Sequence, residues 1–106
     1  MPKFLVEASY TADGLKGLQK DKGSGRLAAV TQAAQSAGGS VESFHFAFGE
    51  TDVFVILDMP NTAAAAALAT EIAASGLVRL RTTPLLTVAE MDEALSQAAT
   101  YRAPGR

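Results

Sequence analysis

The alternation in "ESFHFAFGETDVFVIL", residues 42–57, leaves the chain few choices. Phe44, Phe46 and Phe48 fall on every second position, and Val53, Val55 and Leu57 resume that period after the polar break "GETD" at 49–52. A period of two marks a strand with one buried face. Two such runs flanking a short Gly-containing break read as an antiparallel hairpin. With "GETD" as a four-residue connection, Phe48 is expected opposite Val53, Phe46 opposite Val55 and Phe44 opposite Leu57. All six then share one face, and a slip of one residue would separate the phenylalanines from the valines. The other face carries Ser43, His45, Ala47, Phe54, Ile56 and Asp58. His45, the sole histidine of the chain, therefore points away from the phenylalanines.

The same period fits residues 3–10, with Phe4, Val6, Ala8 and Tyr10 on one side and Lys3, Leu5, Glu7 and Ser9 on the other. The stretch that follows is rich in Gly and Lys. Thr11 with Gly14 can start a short helical turn, but Gly14, Gly17, Gly23 and Gly25 weigh against a strong continuous helix. Ser24 is the expected N-cap of a helix over 26–37, which Gly38 and Gly39 then end. A second helix is expected over 60–75, capped by Asn61 or Thr62 and ended by Gly76; its alanines suggest close packing on a sheet. Residues 77–87 read as a fourth strand, which Pro84 either places at an edge or ends there. A third helix over 87–98 opens with a capping box between Thr87 and Glu90. The order predicts an α+β, ferredoxin-like βαββαβ sandwich. It has a four-stranded antiparallel sheet, helices on one face and an added C-terminal helix. Across the sheet the strands should run four, one, three, two. One domain covers residues 1–102, and the tail at 103–106 is expected to be disordered.

Composition narrows the function classes. The formal net charge is −2, which disfavours a nucleic-acid partner. There is no cysteine, so disulfides, thiolate metal sites and thiol nucleophiles are excluded. No apolar run reaches the length of a membrane span, and "MPKFLVEASY" lacks the pattern of a secretory signal. The expectation is a cytoplasmic protein with no membrane partner.

With helices over the phenylalanine face, the opposite face would carry Leu5, Glu7, Ser9, His45, Phe54, Ile56, Arg79, Arg81 and Thr83. That mixture is too apolar to stay wet and too polar for a plain core. Such patches mark an interface or a ligand site. A homodimer or higher oligomer stacking these faces would bury Leu5, Phe54 and Ile56 and leave the polar groups lining a cavity.

The segments "MPKFLVEASYT", "GSGR", "FHFAFGETDVFVILDMP" and "RTTPLLT" together resemble the GYD-domain family, small bacterial proteins of the dimeric α+β barrel class. The likeness runs over about residues 1–102, and "FAFGETDV" corresponds to the namesake stretch. Thr51 stands where the family commonly has Tyr, so no phenol hydroxyl is present there. The resemblance implies a ferredoxin-like fold and an oligomer, but no particular chemistry. Relatives in the wider class include monooxygenases, isomerases and haem enzymes.

The expected ligand-binding set is Glu7, His45, Phe54, Arg79 and Arg81, with His45 as the catalytic candidate. In a cavity, His45 would serve as a general base or as a metal or haem ligand; the plainer role is a hydrogen bond to Glu7 or to a partner subunit. A lone His without Cys is a poor metal signal, so no metal and no cofactor are expected. Arg79 and Arg81 would either pair with Glu7 across strands or hold a carboxylate or phosphate. The "SGR" stretch at 24–26 reads as a capped loop, with an anion site at the helix N-terminus or a lid over the cavity mouth as the alternatives. Three functions stay open. One is a homo-oligomer binding a small, partly apolar, anionic molecule between two sheets. Another is a cofactor-free monooxygenase- or isomerase-like enzyme using His45 and Arg81. The third is a structural or regulatory homo-oligomer.

Overall fold

The computed structural model describes residues 1–106, with elements β1 (Lys3–Tyr10), α1 (Ala12–Ser36), β2 (Ser40–Phe46), β3 (Val53–Asp58), α2 (Thr62–Ala74), β4 (Val78–Leu85) and α3 (Val88–Ser96). The sheet runs β2-β3-β1-β4, with every neighbouring pair antiparallel. This is the expected order. Phe4, Val6 and Ala8 of β1 and Val53, Val55 and Leu57 of β3 are buried with Ala34 of α1 and Ala65 and Leu68 of α2. Both main helices thus cover one face, the face that the period of two selects. Pro84 sits in edge strand β4 opposite Phe4, where a missing N–H is tolerated.

The β2–β3 register differs from expectation by two residues. Phe46 pairs with Val53, His45 with Phe54 and Phe44 with Val55. A shift of two preserves which face each side chain takes, so the faces are as expected while the pairing is not. The connection is correspondingly longer, closed by the Ala47 N–H donating to the Asp52 carbonyl at 2.7 Å. Phe48 drops out of the strand and is fully exposed. A bulge between Val41 and Ser43 absorbs one residue further along β2.

Helix α1 is the larger correction. It starts at Ala12 rather than residue 26, because Thr11 caps it by accepting the Gly14 N–H at 3.2 Å. The Thr11 N–H in turn donates to the Leu77 carbonyl at 3.0 Å, tying the helix start to the entrance of β4. Gly14 is needed for this approach, since a Cβ there would run into the Leu77 carbonyl. The glycines interrupt the helix without preventing it. Lys22 leaves helical geometry at φ 63° and ψ 175°, just before Gly23 and Gly25, and the helix resumes. Ser24, expected as a cap, falls within the resumed segment. The Phe46 ring rests against Gly23, and Arg26 pairs with Asp21 across the break at 3.4 Å. At the far end Gly38 takes φ 85°, and Gly39 donates to the Ala34 carbonyl at 2.9 Å, a Schellman stop.

Asn61 caps α2 by accepting from the Ala64 N–H at 2.8 Å. The Thr87–Glu90 capping box forms at the start of α3, with bonds of 2.9 and 3.0 Å. The Thr87 N–H holds the Glu90 carboxyl below its ordinary pKa. None of α3 is buried, and Val88, Met91 and Leu95 are exposed. The domain is accordingly elongated. Its radius of gyration is 16.7 Å, against about 13 Å for a compact chain of this length.

Candidate functional site on the open sheet face

The face without helices carries side chains in cross-strand rows. One row reads His45 (β2), Phe54 (β3), Glu7 (β1), Arg81 (β4); the next reads Ser43, Ile56, Leu5, Thr83. Ser9 and Arg79 pair beyond the first row. All five expected ligand-binding residues therefore lie on this face. Phe54 is 39% exposed, Leu5 and Ile56 are half-buried, and His45, Arg79 and Arg81 are exposed.

The five do not form one cluster. Glu7, Ser9, Arg79 and Arg81 line a polar bowl of about 340 Å3, closed on one side by Glu50 and Thr51. His45 is at the opposite edge of the sheet. Three strand spacings separate it from Arg81, about 14 Å. Phe54 stands between His45 and Glu7, so the expected His45–Glu7 hydrogen bond does not form. Glu7 lies opposite Arg81 as expected. Yet the ion pairs of the chain are Lys3–Glu42, Lys3–Asp58, Lys16–Asp13 and Arg26–Asp21, none of which involves Arg79 or Arg81. The structural pairing of Glu7 with an arginine is thus absent, and both guanidinium groups face the bowl unpaired.

The bowl wall is fixed by the 49–52 connection and its bonds to the end of β1. The Ser9 hydroxyl donates to the Glu50 carbonyl at 3.0 Å. The Tyr10 N–H donates to the Asp52 carboxylate at 2.9 Å, and the Asp52 N–H donates to the Ala8 carbonyl at 2.9 Å. These bonds fold the 49–52 loop back onto the end of β1 and place Thr51 in the bowl. The namesake segment of the sequence is therefore part of the site wall.

At the other end of the face, Lys3 bonds Asp58 at 2.8 Å and also Glu42. Hydrogen bonding to Asp58, then to Glu42, raises the Lys3 ammonium above its ordinary pKa. This trio is not legible in the sequence. Lys3 and Asp58 share a face by alternation, but Glu42 joins them only through the β2 bulge. No group of three or more His, Asp or Glu side chains comes together to hold a metal. No helix is long and apolar enough to cross a membrane.

Two helices on one face of a four-stranded antiparallel sheet in βαββαβ order make this a ferredoxin-like α+β domain. The family described as GYD domain matches residues 4–95, and the chain belongs to that family. No curated protein and no solved structure matches the chain.

Proposed function

We propose that the protein is a homo-oligomer that binds a small, partly apolar, anionic molecule on its open sheet face. The single observation behind this reading is the pair of unpaired guanidinium groups, Arg79 and Arg81, in a bowl one strand away from the half-exposed Phe54 ring. Guanidinium groups hold carboxylates and phosphates through paired N–H donors, and Phe54 offers an apolar surface for the remainder of the ligand. Leu5, Phe54 and Ile56 in the middle of a wet face support closure by a second copy of the chain. The exposed Val88, Met91 and Leu95 of α3 add a second apolar surface that self-association would cover. The enzyme alternative needs a base within hydrogen-bond reach of the bound molecule. The 14 Å separation (about three strand spacings) leaves that role to the His45 of a second copy.

Benzoate is a suitable probe, being small, partly apolar and anionic. Calorimetric titration should show binding to the wild type and its loss in Arg79→Ala/Arg81→Ala. Equal benzoate affinity in wild type and double variant would overturn the reading. A dimer that binds no carboxylate or phosphate probe would favour the purely structural role.

A further inference from the structure

A second site lies on the opposite side of the sheet, beneath the helices. Half of the side chains with which the helices line this layer are alanines, Ala29 and Ala33 from α1 and Ala65 and Ala69 from α2, set among Val30, Leu68 and Ile72. Alanine is too short to fill the layer above valines. An apolar cavity of about 100 Å3 results, bounded below by the row Phe44, Val55, Val6 and Thr82. The close packing expected from the alanines is therefore incomplete. Of the 19 residues lining the cavity, 17 are hydrophobic; the others are Arg26 and Thr82.

Thr82 is the telling residue. Its hydroxyl oxygen is the one buried side-chain polar atom of the chain without a hydrogen-bond partner. An unpaired buried hydroxyl is costly, and its neighbours in the sheet rows are Val6 and Val55. A water molecule needs two to four polar partners to be held in such a place; beside Thr82 the only polar side chains of the lining are Arg26 and Tyr10, both shared with the outer depression and so placed at the mouth. A molecule with an apolar body and a single polar group meets both requirements. Access is also present. An outer depression of about 260 Å3 shares Tyr10, Arg26, Ile72 and Val78 with the cavity. Arg26 is partly exposed and anchored to Asp21, so it marks where the cavity meets solvent.

We infer that this cavity is a binding site for a single-ring aromatic molecule bearing one hydroxyl, the phenol class. The ring occupies the alanine-roofed space, and its hydroxyl exchanges a hydrogen bond with Thr82. An apolar cavity of about 150 Å3 accepts one benzene ring; at about 100 Å3 this one holds a single ring with its edge at the opening marked by Arg26. The site is separate from the arginine bowl and does not depend on it.

Phenol and toluene are the probes, titrated calorimetrically or by ligand-observed NMR. Wild-type protein should bind both, phenol more tightly. Thr82→Val should weaken phenol roughly five- to tenfold, the effect of one hydrogen bond, and leave toluene unchanged. The same variant should raise Tm in the absence of ligand, because the unpaired hydroxyl is gone. Ala69→Phe should fill the space and abolish binding of both probes. Should Ala69→Phe not fold, Thr82→Val alone still decides the matter. Arg79→Ala/Arg81→Ala should leave phenol binding intact while removing benzoate binding, which separates this site from the bowl. The inference is overturned if wild-type protein binds neither probe. It is equally overturned if Thr82→Val weakens both alike, or if a folded Ala69→Phe still binds phenol.

Discussion

The two faces of the sheet are built from the same four strands and differ by one residue of phase. Phe4, Val6, Val53, Val55 and Leu57 are buried on the helix side. Their immediate neighbours Leu5, Glu7, Phe54 and Ile56 remain at least partly exposed on the other. The covered face is homogeneous apart from Thr82 and earns its role through burial. The open face mixes apolar centre, basic bowl and a charged trio around Lys3. A fold needs only the first kind of face. Apart from the Lys3 trio, the second retains groups that stability does not require, and the arginine bowl is the part of it that suits an anion.

Substitutions at adjacent positions of one strand test this contrast most directly. Phe4→Ala should cost about 3–5 kcal/mol in chemical denaturation. Leu5→Ala should cost far less in the monomer, with a loss that grows with protein concentration only if a second copy covers it. Comparable losses for the two at low concentration would erase the difference between the faces. Next in size is the effect on ligand affinity. Arg81→Ala should weaken benzoate roughly 10- to 100-fold, the range of a charge-assisted hydrogen bond, with little change in Tm. Phe54→Asp should lower the sedimentation mass of any oligomer without unfolding the chain, because the side chain is not part of the core. An unchanged mass at micromolar concentration would place the interface elsewhere.

The smallest effects are at the periphery. Thr87→Ala should cost α3 about 1 kcal/mol through its cap, read as lost helical circular dichroism. Glu90 has a lowered pKa, so its contribution is present above the ordinary carboxylate pKa and fades as pH falls through the lowered value. Lys3 has a raised pKa, so its contribution is present below the ordinary lysine pKa and is lost as pH rises through the raised value. Glu90→Gln should flatten the acid limb of the stability curve, and Lys3→Met the alkaline one.

Much of this was legible in the residues, and the failures are physical. Side-chain phase was readable because burying Phe44, Val53, Val55 and Leu57 together tolerates no odd slip. The register was not, because Phe46 and Phe48 share a phase and an even slip leaves the core face intact. Glycine propensity pointed to a late helix start. The Thr11 cap and its bond to Leu77 outweighed it, and a Leu77 contact 66 residues away is invisible in a local window. The strand order already implied that His45 and the arginines sit at opposite edges. Reading the open face as one patch obscured that. Thr82 looked like any strand threonine; only the alanine roof above it leaves its hydroxyl alone.

The break at Lys22 divides α1 into two rods. The front rod is bolted to the start of β4 through Thr11, while the rear rod carries Arg26, Ala29 and Ala33 over the sheet. The α1 side chains that roof the apolar layer therefore all come from beyond the break, on a rod whose start is set by the left-handed turn at Lys22 and not by the Thr11 cap.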